Sequence, residues 1–575
     1  MNDPEREILR QAGDGMEWQK ELDELHLKRT LATRMGGEEG IARQRSQGRL
    51  TVRERIDLLT DKGTFEELSS TVGVAEYDDL GNLASFRPAN TLAGFGQIDG
   101  RPICLRADDF TIRGGSTDTA AAGKRGIEQQ AMEWRVPLVL LLDGAGGSVR
   151  EVAGREGAGN ANGSASPHAV ANIPANPVVV RPAGTPGSRD VPPLPVAPQF
   201  PAVPRGDLAT ALARGHPLAQ IPVVAAVLGS AAGWIAIAAA DSHFSVMTKT
   251  TSELFVAGPP LIKQALNLTI SKQELGNYKI HAQHTGVINN AAEDEADALG
   301  QIRTFLSYLP PNVWQLPPRS DPTDDPNRRE EALASIIPRD RRKTYDVRRL
   351  IRHVVDKDST FEISPLFGRA IVTMFARIDG FAVALIANDC RQDGGAQTAT
   401  ACQKFERFVD LADTFHLPVV YLCDVPGFMI GPEAEKQGTI RWALRANIAV
   451  REATVPYISI ITRRFYGVAV GGAKRGGGLT PRYAWPSAEN GSLPAAGGVM
   501  AAFRRQIEAA PDPVAMRIDL EERLNTMASV TRRPQFVDEV IDPRDTRPLL
   551  VEFVRRAQEI NAAQLGPKLR VGMRP

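Results

Sequence analysis

Neither sign of charge prevails in this 575-residue chain, where 68 lysines and arginines meet 68 aspartates and glutamates. Without a basic excess there is no electrostatic footprint for nucleic acid or for an anionic bilayer. Cysteine is scarce as well. Cys104, Cys390, Cys402 and Cys423 contain no C-x-x-C pair, so neither a zinc ribbon nor a disulfide framework is readable, and reduced cytoplasmic thiols are the expectation. The eight histidines form no close set of metal ligands, and no H-E-x-x-H, G-x-S-x-G or G-x-x-x-x-G-K-S/T string occurs. Ordinary metal, serine-nucleophile and P-loop chemistry therefore find no support in the residues. The opening MNDPEREILRQ is charged throughout and lacks the apolar stretch of a signal peptide.

One long apolar run is present, Ile221 to Ala240, about as long as a membrane span. Its β-branched start, Gly-Ser-Ala-Ala-Gly middle and Ala-rich end predict instead a buried strand, a tight turn and a buried helix.

The chain also repeats itself. Ile98-Asp99-Gly100 recurs as Ile378-Asp379-Gly380, Ala107-x-Asp109 as Ala387-x-Asp389, and Gly114-Gly115 as Gly394-Gly395, each 280 residues on. VPLVLLLD ending at Asp143 answers LPVVYLCD ending at Asp424, an offset of 424 − 143 = 281. Two homologous α/β halves with buried strands are implied. At Ile221-Pro222 and Val455-Pro456 the offset drops to 456 − 222 = 234, so the first half holds about 281 − 234 = 47 extra residues. Composition places them at about 157–206, an Ala/Gly/Asn/Ser run followed by eleven prolines from Pro167 to Pro204, read as a loose loop or lid. The expected organisation is a helical arm at 1–46, a first domain at 47–316, a linker at 317–342 and a second domain at 343–575. Residues 4–46 read as a charged amphipathic helix serving packing or assembly.

Chemistry is best sought where glycines and small residues come directly after buried strands: Gly144 to Gly147, Gly229 to Gly233, Pro426-Gly427 and Gly467 to Gly472. Glycine there lets a ligand approach the backbone, and free N–H groups at the next helix start can hold an anion. Two such amides aimed together make an oxyanion hole. For a single turn the plainer explanation is a positive φ; four turns at corresponding places in two repeats favour a site.

Several strings carry a resemblance: RLTVRERIDLLTDKGTFEEL (Arg49 to Leu68), ADDFTIRGGS (Ala107 to Ser116), LCDVPGF (Leu422 to Phe428), REATVPYISIITRRFYG (Arg451 to Gly467), YAWPSAE (Tyr483 to Glu489) and VDEVIDPRDTR (Val537 to Arg547). The chain resembles the carboxyltransferase subunits of propionyl-CoA and methylcrotonyl-CoA carboxylases. That resemblance implies two crotonase-like (ββα superhelix) domains and an active site between the first half of one subunit and the second half of another. A homo-oligomer, commonly a hexamer, is implied with it. It further implies biotin carried covalently on a separate biotin carboxylase/biotin carboxyl carrier (alpha) subunit, an acyl-CoA substrate, and no metal, nucleic acid or membrane partner. No A-M-K-M biotinylation motif occurs in the chain itself.

Carried over by position, Gly146 and Gly147 correspond to the amide pair for the thioester enolate, and Val468 and Ala469 to the pair for the biotin ureido oxygen. Arg113, Gly114, Gly115, Ser116, Lys124, Gly229, Ala232 and Gly233 fall on the acyl-CoA side; Gly427, Phe428, Gly467, Val470 and Gly471 fall on the biotin side. Gly471 and Gly472 lie near the acyl-selecting position and suggest a roomy pocket. The chain departs from the family pattern at Asp143 to Arg150, where the register of the turn shifts, and at Trp234, where a small residue is usual. A decarboxylase running the same transfer in reverse, and a non-catalytic assembly paralogue, are the alternatives.

Overall fold

The computed structural model describes residues 18–116, 126–146, 216–322 and 324–568. The insertion expected at about 157–206 lies outside them. The first half contains β1 (Glu66–Leu68), β2 (Gly73–Tyr77), β3 (Leu83–Pro88), β4 (Thr91–Ile98), β5 (Arg101–Asp108), β6 (Leu138–Gly144), β7 (Val223–Ala232), β8 (Phe244–Thr248), β9 (Glu253–Phe255) and β10 (Asn290–Ala292). The second contains β11 (Phe361–Ile363), β12 (Ile371–Ile378), β13 (Phe381–Asn388), β14 (Val419–Val425), β15 (Tyr457–Tyr466), β16 (Arg482–Ala484), β17 (Glu489–Gly491) and β18 (Glu539–Val540).

The two sheets have the same plan. One runs β1-β4-β5-β6-β7-β8-β10 with β9 on the end of β7; the other runs β11-β12-β13-β14-β15-β16-β18 with β17 on the end of β15. Each opens with an antiparallel hairpin and continues in parallel strands. The repeated Ile-Asp-Gly forms the hairpin turns. Asp99 and Gly100 take φ of 51° and 72°, and Asp379 and Gly380 take 53° and 76°, the pair of positive values that a type I′ turn requires. Strands β6 and β14, written VLLL and VVYLC in the sequence, are buried along their whole length, as parallel strands covered on both faces must be. The expectation of two homologous α/β halves is met down to strand order.

The apolar run resolves into β7, Gly233 and the helix Trp234–Ala240. Among the described residues no helix is long and apolar enough to cross a membrane. The strand runs on to Ala232, past the turn expected at Gly229, because Ser230, Ala231 and Ala232 pair with β9. The single amphipathic arm is also corrected, since Gln19–Thr33 and Gly37–Ser46 are separate helices. Met35 and Gly37 have φ of 52° and 77°. Between them Gly36 packs so close to Thr111 that any side chain would strike its carbonyl, and its N–H donates to Thr111 Oγ1 at 2.9 Å. The linker at 317–342 is partly structured, with Leu333 of the turn Glu331–Ala334 buried in the core of the second half.

All four cysteines are free and buried. Burial pushes the thiols of Cys104 and Cys402 up to about 12, so neither is a nucleophile near neutrality. Lys404 is 5% exposed, and its ammonium donates to the carbonyls of Phe367 at 3.1 Å and Ile371 at 2.7 Å. Burial lowers it from 10.5 to about 7. Between those values the unfolded chain holds a proton that the folded chain has shed, so stability rises with pH across that window. Lys404→Met should flatten that rise, by up to about 1.4 kcal/mol per pH unit. Urea unfolding of both proteins from pH 7 to 9 checks it; parallel curves contradict it.

Candidate active site: amide-bearing turns at matched strand ends

In the first half β5 leads into Arg113, Gly114 and Gly115, which all hold positive φ (53°, 64° and 61°). The second half repeats this backbone 280 residues on at Asp393, Gly394 and Gly395 (49°, 62° and 80°). These turns support the strand ends beside them. Ala145 N–H donates to Gly114 O at 3.0 Å, and Ser116 bridges Gly146. A Cβ on Gly115 would overlap the carbonyl of Asp143, and one on Gly144 would overlap the carbonyl of Gly115. Both glycines are therefore imposed by backbone packed on backbone.

Each half then presents two strand-end glycines. Gly146 (φ 79°) and Gly427 (φ 139°) end β6 and β14; Gly233 (φ 59°) and Gly467 (φ 65°) end β7 and β15. The pairs are offset by 281 and 234 residues, the two spacings of the repeat. Gly233 opens the helix Trp234–Ala240, and Gly467 opens the 3₁₀ turn Gly467–Gly472. The first amides of such a turn have no acceptor within it, which leaves those of Val468 and Ala469 without a partner inside the turn. Val468 is 77% exposed and Ala469 is buried, which leaves the turn anchored on one side and open on the other.

Most expected residues lie at strand ends of their own halves, with exceptions. Gly147 and Lys124 lie outside the described residues. Gly229 lies within β7, where a Cβ would overlap the Asp143 carboxylate, so it packs beneath the turn. Ala232 is buried at the strand end and Gly233 N–H donates to Phe255 O at 3.3 Å. Gly427 O accepts from Gln397 N at 3.1 Å, and Phe428 bridges Gln397. Val470 packs against the core. A Cβ on Gly471 would lie 2.8 Å from the side chain of Asn447, and one on Gly472 3.3 Å from Phe405. Both glycines are thus packed against neighbouring side chains. Trp234 is 66% exposed, so its indole points away from the core.

Sequence reasoning missed the buried charges beneath both turns. Asp143 and Asp424 are fully buried. Arg55 Nη1 lies 2.9 Å from Asp143, and Arg464 Nε lies 2.6 Å from Asp424. The signal was present, because both aspartates mark the repeat, but they read as strand ends only. A Gly229→Ala substitution should cost about 1–3 kcal/mol by overpacking against Asp143. Chemical denaturation checks this, and a neutral change would contradict the packing described. Among the described residues no group of three or more His, Cys, Asp or Glu side chains is arranged to hold a metal ion. The arrangement offers preorganised amides, whose chemistry is stabilisation of a developing oxyanion.

Residues 43–183 and 206–570 match the family model described as carboxyl transferase domain. The chain is 33% identical over 557 residues to the carboxyltransferase subunit of propionyl-CoA carboxylase from Haloferax mediterranei, covering 96% of this chain and 98% of that one. It is 30% identical to the methylmalonyl-CoA decarboxylase subunit alpha of Veillonella parvula, covering 93% and 95%. Its fold is similar to the hexameric transcarboxylase 12S solved with methylmalonyl-CoA and methylmalonic acid bound, with a TM-score of 0.77, 28% identity and coverage of 96% and 97%.

Proposed function

The chain belongs to the carboxyl transferase domain family, and from that premise we propose that it moves CO2 from biotin held on a separate subunit to the α (or vinylogous γ) carbon of an acyl-CoA. Its function is carboxyl transfer in biotin-dependent acyl-CoA carboxylation. Biotin supplies the carboxyl group when its carrier docks. The first half binds the thioester, with Arg113 to Ser116 and Lys124 against the CoA and the amides at Gly146 and Gly147 at the thioester oxygen. Gly229 supports that turn from beneath; Ala232 and Gly233 wall it. The second half receives biotin, with the amides of Val468 and Ala469 at the ureido oxygen and Gly427, Phe428, Gly467, Val470 and Gly471 around it.

The observation that carries the reading is that turns with positive-φ glycines close the same strand ends in both halves; the proposal assigns one set to each of two carbonyls. Such donors stabilise charge that develops in the transition state without a side-chain base, and one donor contributes on the order of 3 kcal/mol. The similarity to a subunit named methylmalonyl-CoA decarboxylase subunit alpha supports the reverse transfer as the second reading. We propose a homo-oligomer, a hexamer, in the cytoplasm, where the four unpaired thiols are at home.

The purified chain, given free biotin and malonyl-CoA or methylmalonyl-CoA, should release acetyl-CoA or propionyl-CoA in a biotin-dependent manner. Absence of both thioester binding and biotin-dependent turnover would favour the assembly paralogue.

A further inference from the structure

The buried aspartates occupy identical irregularities in the two sheets. Strands β6 and β7 pair at Leu142–Val227 and next at Gly144–Ala231, so two steps on one strand face four on the other. Strands β14 and β15 do the same, at Cys423–Ile461 and then Val425–Phe465. Asp143 and Asp424 are the middle residues of the short sides, and both are fully buried. A bulge of this kind bends a strand and re-aims the residues beyond it. In one half those residues are Gly144 to Gly146 and Gly233; in the other they are Gly427 and Gly467 to Ala469.

The carboxylates fill these bulges. In the second half Asp424 Oδ1 accepts from Arg464 N–H at 3.2 Å and from Arg464 Nε at 2.6 Å, on the very segment that runs two residues later into Tyr466 and the Gly467 turn. In the first half the position of Arg464 is held by Ser230 (464 − 234), and the cation comes from elsewhere in the chain. Arg55, 1% exposed on the helix Val52–Leu59, donates to Asp143 at 2.9 Å, to Leu228 O at 3.0 Å and to Glu295 at 2.7 and 2.8 Å. Gln44 Nε2 adds a bond to Asp143 at 3.1 Å, and Arg49 Nη1 lies 3.6 Å from it. The RLTVRER segment thus has a structural task at the first turn. The two halves keep the aspartate and the bulge while drawing the arginine from different places, so the requirement lies in a charged carboxylate at that point and not in one particular ion pair.

We propose that Asp143 and Asp424 are positioning residues: each carboxylate, held by an arginine (Arg55 buried, Arg464 half-buried), sets the bulge that aims the amide-bearing turns of its own half, Asp143 for the acyl-CoA turn and Asp424 for the biotin turn. This rests on the proposed division of substrates between the two halves. The test uses the whole chain in the biotin-dependent release assay, with kcat expressed per folded protein. A silent wild-type enzyme would sink the functional reading and not this one. Asp143→Asn should lower kcat roughly ten- to hundred-fold and raise KM for the acyl-CoA while KM for free biotin stays within about two-fold. Asp424→Asn should lower kcat similarly with the reverse split. Arg55→Lys and Arg464→Lys, which keep the charge and lose the fork, guard against unfolded variants and should show the same splits in milder form. Melting temperatures that fall while kcat and both KM values hold, or the same KM moved from both halves, would overturn the proposal.

Discussion

Val468→Pro should lower kcat for carboxyl transfer about 100- to 1,000-fold, while Val468→Ala should leave it within about three-fold. The contrast comes from where the donor is. Val468 is the second residue of the turn Gly467–Gly472, its side chain is 77% exposed, and no core contact depends on it. On the proposed reading, what the site uses is its N–H. Proline deletes that group at a place where the first positions of a helical turn accept its fixed φ and their N–H groups are unpaired within the turn. Ala469, 1% exposed, keeps the second amide in place. Steady-state kinetics of both variants, with circular dichroism to confirm the fold, decide the matter. A fully active proline variant would remove this turn from the chemistry.

The second large effect concerns assembly. Ile440 and Leu444, four residues apart on one face of the helix Thr439–Glu452, are 74% and 53% exposed. Ile430 is 85% exposed, and in the first half Trp234, Ile237 and Val256 are 66%, 52% and 90% exposed. Large apolar side chains grouped near the functional turns of both halves are the signature of a covered surface, and a second copy covers both sets at once if one subunit's first half meets another's second half. Ile440→Glu combined with Leu444→Glu should therefore dissociate the proposed oligomer and reduce transfer at least ten-fold, because a buried unpaired carboxylate costs several kcal/mol. Light scattering and the release assay, run on the same samples, test it. An unchanged mass would place the interface elsewhere.

The repeat was legible because its markers have local causes. Ile-Asp-Gly recurs since a type I′ turn needs positive φ twice, and VPLVLLLD answers LPVVYLCD since both strands are buried on two faces. The fall in offset from 281 to 234 located the second pair of strand-end glycines, Gly233 and Gly467, with equal φ to within a few degrees. What stayed hidden depends on distant partners. Gly229 reads as a turn glycine until Asp143 is seen in the space of its side chain. The bracing of Asp143 joins Arg55 to Glu295, 240 residues apart, and no local pattern announces that pairing. The packing of Gly471 and Gly472 stayed hidden for the same reason, since Asn447 and Phe405 arrive from other helices. The break at Gly36 likewise has its cause in Thr111, far along the chain.

The most direct test of the central claim is fixation of labelled bicarbonate by this chain co-expressed with a biotinylated partner, with ATP and a panel of acyl-CoAs from acetyl to geranyl. Acid-stable label on at least one thioester, lost with Val468→Pro and kept with Val468→Ala, is the predicted result. No label on any thioester, while the partner's bicarbonate-dependent ATP turnover is intact, would contradict the claim that these amide-bearing turns carry carboxyl transfer from biotin to an acyl-CoA.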